Sequence, residues 1–142
     1  ALNEADRPEP VSGITSTYEA KTWLYDPSII MPQNIYSPNG VLIVKAGQTY
    51  NPLQTVTFDE VLLFYNADDP NQVAWARTED QEYKNHDKLI LVNGSVITQR
   101  QLFQKAIFFD QQGRLTTRFH IQHVPAIVQQ AGLHLKISEV LL

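Results

Sequence analysis

The sequence predicts an α/β fold with a mostly parallel sheet, and three observations predict it. Short apolar runs mark three strands, VLLFYN at 61–66 with the character of a strand buried on both faces, DKLILVNGS at 87–95 as a second buried strand and AIFFD at 106–110 as a third. Helix-start signals fall between them, and strands alternating with helices imply right-handed crossovers within one sheet. The composition, 43% hydrophobic and 18% charged over 142 residues, is that of one globular domain able to bury its own core.

The elements follow in order. Residues 1–57 hold six of the eight prolines, at 8, 10, 27, 32, 38 and 52, and show no sustained helical period. They read as an extended arm with hairpins, not as a domain of their own. ADRPEPVSG is a flexible or extended lead. SPNGVLIVKAGQTYNP predicts a β-hairpin, in which Asn39-Gly40 turns into the run Val41, Leu42, Ile43, Val44. A second turn at Ala46-Gly47 then leads to a short strand stopped by Pro52. Residues 58–142 carry the α/β pattern. Asp69 fits a helix N-cap and Pro70 the first helical position. Asn93-Gly94 ends the second strand, and the capping-box spacing of Thr98 and Gln101 starts a second helix there. DQQG turns out of the third strand, and LTTRFHI gives one or two helical turns. PAIVQQAGLHLKISE forms a terminal hairpin about Ala131-Gly132, which adds an antiparallel edge. The order is β-α-β-α-β-α-β-β.

Charge and composition remove several function classes. A net charge of −4 with scattered cations is unsuited to tracking phosphates, so nucleic acid is not expected as a ligand. No apolar run reaches the roughly 18 residues of a membrane-spanning helix. The polar opening ALNEADRPEP lacks a signal-peptide pattern, and the expectation is that any such peptide has been removed or lies outside this sequence. With no cysteine, thiolate nucleophiles, disulfide exchange and cysteine-ligated metals are excluded.

The remaining chemistry is sparse. His120 and His123 stand at i, i+3 with His134 farther on, but Pro125 stops a helix before the pair can share a face, so no metal is expected. Asp68, Asp69 and Asp110 offer carboxylates. Asp69 is already engaged as a cap and Asp110 opens a turn, and no nucleophile–base set accompanies them. No catalytic residue, cofactor or enzyme activity is expected. Asn93-Gly94-Ser95 matches a glycosylation pattern but is accounted for as a turn. Trp75 falls in the first helix as a core residue. Trp23, Tyr25, Tyr36 and Tyr50 are four large aromatics in the proline-rich half. They either pack the arm onto the sheet or anchor a partner.

Phe119, Ile121, Val124, Pro125, Ile127, Val128, Gly132 and Leu135 together resemble the second half of the thioredoxin fold, whose proline is cis and faces the active-site helix. VLLFYNADDPNQV is similar to the first half, with Ala67 matching its usual alanine. The two redox cysteines would fall at Pro70 and Val73, where this chain has none. The resemblance implies a thioredoxin-like mixed sheet without redox cysteines. It also implies a docking surface where Asp68, Asp69, Pro70 and Asn71 meet Val124 and Pro125, because thioredoxin folds take extended peptides there by main-chain pairing.

Five blocks, YDPSI, GVLIVKAGQTYNPL, LLFYNADDPNQVAWA, KLILVNGS and FFDQQGRLTTRFHIQHVPAIVQQAGLHLKISE, resemble the TraW family in order and spacing. These are periplasmic pilus-assembly proteins of F-type conjugative type IV secretion systems. Residues 59–128 also resemble the partner family TrbC. The likeness implies a periplasmic assembly factor that binds a TrbC-type protein and other envelope components. The alternative is a periplasmic chaperone-like binding domain.

Overall fold

The computed structural model describes residues 6–142. Six short strands come first: β1 (Thr15–Ser16), β2 (Lys21–Tyr25), β3 (Ile29–Ile30), β4 (Ile35–Tyr36), β5 (Leu42–Val44) and β6 (Thr49–Tyr50). After a 3-10 turn at Pro52–Gln54 come β7 (Val61–Asn66), α1 (Pro70–Tyr83), β8 (Asp87–Asn93), α2 (Val96–Phe103) and β9 (Ile107–Phe109). A 3-10 turn at Gln111–Gly113 leads into α3 (Arg114–Phe119), β10 (His123–Val124), β11 (Ala126–Ala131) and β12 (His134–Glu139).

The result is a mixed α/β structure around one six-stranded sheet of order β2-β12-β11-β7-β8-β9. β7, β8 and β9 run parallel, while β11, β12 and β2 are joined by antiparallel pairings. The sheet is therefore less parallel than the strand–helix alternation implies. Nor is the terminal hairpin its edge, because β2 from the N-terminal region pairs with β12 along Leu135↔Tyr25 to Glu139↔Lys21. The five-residue segment KTWLY does this by strand alternation, turning Trp23 and Tyr25 inward and leaving Leu24 exposed.

Side-chain alternation explains the layers. Val61, Leu63 and Tyr65 of β7 with Leu89 and Leu91 of β8 face one way, beneath Val73, Trp75 and Ala76 of α1 and Val96 and Phe103 of α2. Leu62, Phe64, Ile90 and Val92 face the other, where they meet Phe119 of α3, Ile121, Val124, Val128 and Ile137. Both faces of the two central strands are covered, which is why their sequences are apolar without interruption.

Local chemistry sets the helix starts. Asp69 caps α1 as its spacing predicts, accepting from the Asn71 amide at 2.9 Å. The second helix begins earlier than the Thr98/Gln101 pair suggests. Ser95 is its N-cap, with Oγ accepting from Thr98 N at 3.0 Å, so Thr98 is already the third helical residue. Between β8 and that cap, Gly94 takes φ +115°, and a Cβ there would lie 2.5 Å from Ala67 Cβ.

The N-terminal stretch is docked on the rest of the structure from residue 6 onward. Asp6 is buried, its carboxylate accepting from Ser95 Oγ (2.9 and 3.0 Å) and Ile97 N (2.8 Å), while Val11 N donates to Val92 O at 2.9 Å. Val11 and Ile14 pack on the α3-side core. In the predicted hairpin, both turns occur but the strands take other partners. β5 pairs with β4, and β6 with β3, so that residues 29–50 form one folded-back ribbon.

Candidate functional site

The end of β7 and the start of α1 form a hydrogen-bonded turn. Asn66 Oδ1 accepts from Asp68 N at 2.9 Å and from Asn93 Nδ2 at 3.1 Å, which ties this turn to the end of β8. Asp68 Oδ2 accepts from Arg7 Nη2 at 2.7 Å and Asn93 Nδ2 at 3.1 Å. Pro70 occupies the first turn of α1, where a missing amide costs nothing. Gln72 is buried: its Oε1 accepts from Asn66 N at 2.8 Å, and its Nε2 donates to Asp69 Oδ2 (3.2 Å) and Ser16 Oγ (3.4 Å).

Opposite this turn stand Val124 and Pro125, joined by a cis peptide bond. They are placed by β11, which pairs Ala126 with Phe64 of β7. Buried Glu139, at the end of β12, fixes the approach. Its Oε2 accepts from Gln122 N (2.8 Å) and His123 N (2.9 Å), and its Oε1 lies 3.0 Å from His123 Nδ1. Tyr18 packs edge-on against the His123 ring at 4.9 Å.

A cavity of about 150 Å³ lies where these parts meet, lined by Ser16, Thr17, Asp69, Asn71, Gln72, Val124, Pro125 and Leu142. Loop 68–71 and the Val124-Pro125 step are thus brought to one place. The main chain beside Val124 is not open, however. β1 pairs with β10 in parallel, Thr15 N donating to Gln122 O (3.2 Å) and Thr17 N to Val124 O (2.9 Å). The chain's own residues 15–17 hold the place where a main-chain-paired peptide was expected. What the surface offers at its rim is the exposed amide of Asn71 and hydroxyl of Ser16, while the Asp68 carboxylate nearby is held by Arg7 and Asn93.

The four aromatics divide. Trp23 donates from Nε1 to Phe119 O at 3.0 Å, and Tyr25 stands edge-on to Phe119 at 5.3 Å, so both pack the sheet onto α3. Tyr50 is half-buried, its hydroxyl paired with Thr55 Oγ1, whereas Tyr36 is 56% exposed on the ribbon. None of the four lines the cavity at loop 68–71. The histidines are separate: His120 ends α3 in a left-handed conformation, His123 bonds Glu139, and His134 begins β12. Asp110 is buried away from solvent and accepts from Leu115 N, Thr116 N and Thr116 Oγ1 at 2.8–3.0 Å, so it caps α3.

Sequence reasoning missed Ser16, Gln72 and Glu139. The Asp69-x-x-Gln72 spacing is a capping-box signal that marks Gln72. Ser16 and Glu139 carry no local signal. Two larger cavities, each of about 690 Å³, lie elsewhere. One is between residues 9–14 and α3, and the other is an apolar groove between α3 and the base of the ribbon. Of the residues singled out as partner-binding, only Tyr25 lines either of them.

No family model matches the chain, and no solved structure matches it. Among curated proteins it is similar to Protein TraW of Escherichia coli (strain K12), with 38% identity over 122 residues. The match takes in 86% of this chain and 58% of that protein. The chain is thus similar to TraW over most of its own length, and it spans rather less than two thirds of its relative.

Proposed function

We propose that the chain is a TraW-family assembly factor of the F-type conjugative pilus and its type IV secretion system. It works in the periplasm by binding a TrbC-type protein, not by catalysis. The observation that carries this reading is the 38% identity to TraW over 86% of the chain. No helix among the described residues is long and apolar enough to cross a membrane, which is compatible with that setting.

The scaffold is read as thioredoxin-like. What supports this is the adjacency of the α1 start to the cis Val124-Pro125 step, together with β7 lying between parallel β8 and antiparallel β11. With no thiol present, such a scaffold serves recognition. The partner surface is the rim around loop 68–71.

Co-purification with a TrbC-type protein from an envelope extract tests the function, and Asn71→Arg tests the surface. Asn71 is exposed, so the variant should keep its fold and lose at least tenfold in affinity; unchanged affinity would place the contact elsewhere. Val124 is unsuitable for this purpose, because it is 2% exposed and a charge there would disrupt the core. A chaperone-like role has one observation in its favour, the apolar side chains exposed along residues 29–43. Broad, weak binding to a mixed peptide library, with no preferred partner, would select it.

A further inference from the structure

Residues 29–50 make a ribbon that the other described residues leave largely exposed. Its two ladders, β3 with β6 and β4 with β5, are linked by Met31 N to Gln48 O and Gly47 N to Met31 O, both 2.9 Å. Gly40, at φ +82°, closes the tip. The hydrogen bonds described for residues 29–49 all stay within the ribbon.

Its surface is unlike the rest of the molecule. Between Asp26 and Asp59 the only charge is Lys45. Leu42 and Ile43 are consecutive in one strand and so point to opposite faces, yet they are 46% and 61% exposed. Ile30, Tyr36 and Val41 are exposed as well. Apolar side chains are exposed on both faces, and a two-stranded ribbon left alone in water is marginal. Contiguous apolar exposure of this kind marks an interaction site.

The occupant follows from the edges. Each ladder has two strands, so the outer main-chain groups of both are open among the described residues. In hydrocarbon every unsatisfied amide or carbonyl costs several kcal/mol, which opposes burial in lipid. A protein that supplies a strand satisfies the edge and covers the faces together. Pro32 and Pro38 interrupt one side of the ribbon, whereas Leu42–Val44 carry neither proline nor charge, so the edge of β5 is the unguarded one; beyond it the chain turns, with Lys45 N and Ala46 N donating to Gln48 Oε1 and Asn34 Oδ1.

We propose that the ribbon is a docking arm, whose strand β5 adds to an open sheet edge of another protein within an uncharged, apolar cleft. This goes beyond the surface at loop 68–71 and rests on the assembly reading only in where the partner is sought.

The test places photoreactive p-benzoylphenylalanine at position 42 or, separately, at 71, in the chain expressed in cells carrying the whole conjugation system. Position 42 should give one adduct with an envelope protein of that system, mapped by mass spectrometry to a strand at a sheet edge. Adding Val41→Asp with Ile43→Asp should cut that adduct at least tenfold while circular dichroism and melting stay unchanged. The adduct's yield should vary less than twofold between 0.1 and 1 M salt in isolated envelopes, because the contact carries almost no charge. An adduct of twice this chain's mass, a lipid adduct, an adduct that survives the double variant, or none at all would each overturn the docking arm. An adduct at 71 without one at 42 removes the arm and leaves the assembly reading; adducts at neither position remove both.

Discussion

Asp87 opens β8 with its side chain fully buried, and only one of its oxygens is satisfied. Oδ1 accepts from Lys105 Nζ at 3.1 Å, Oδ2 has no hydrogen-bond partner among the described residues, and the Asp80 carboxylate on α1 shares the same lysine at 2.9 Å. Burial first, and then the neighbouring Asp80, push the Asp87 carboxyl up to about 6, while Lys105 works the other way. In the unfolded chain it would ionise near 4. The folded form therefore holds a proton that the unfolded form has lost. Its stabilising contribution is complete below pH 4 and fades as pH rises through 6, by up to about 3 kcal/mol. Thermal melts from pH 4 to 8 should show this decline. Asp87→Asn should flatten it and melt higher than the parent at pH 8; an unchanged slope would mean that another group titrates.

At the scale of elements, helix starts account for much of the local order. α1 begins as the sequence spells it, with Asp69 capping and Pro70 following. α2 begins three residues before the predicted start because Ser95 supplies the cap oxygen in place of Thr98. Ser95 also donates to the Asp6 carboxylate, so one hydroxyl joins the helix to the N-terminal arm. Ser95→Ala should cost about 1–2 kcal/mol in denaturant unfolding, more than a lone exposed cap, because buried Asp6 loses a donor. A loss below about 0.5 kcal/mol would show that the arm does not depend on this hydroxyl. The ribbon is the opposite case. Its turns were legible at Asn39-Gly40 and Ala46-Gly47, but its pairing was not, because short strands with apolar residues on both faces carry no register signal.

Across the whole molecule, the N-terminal region is woven into the structure. Asp6 meets the start of α2, Val11 and Ile14 enter the α3-side core, β1 covers β10, and β2 completes the sheet. Deleting residues 1–20 should therefore lower the melting temperature, with a loss of at least about 2 kcal/mol from buried apolar contacts and the lost cap. An unchanged melt would mean that the arm only rests on the surface. Because of this weave, point substitutions such as Asn71→Arg separate contact from stability in a way that truncation cannot.

The apolar runs at 61–66, 87–95 and 106–110, the Asp69-Pro70 start and the Ala131-Gly132 hairpin were set by the sequence alone. Each depends on residues within one turn or one strand, where sterics, capping and alternation act without help from distant parts. Tertiary structure decided the rest: that β2 borders β12, that residues 15–17 occupy the edge beside Val124, and that Gln72 and Glu139 support the candidate surface. These are contacts between residues far apart in the chain. Many pairings of short extended segments satisfy the same local preferences, and only burial of the shared core and its polar groups selects one of them.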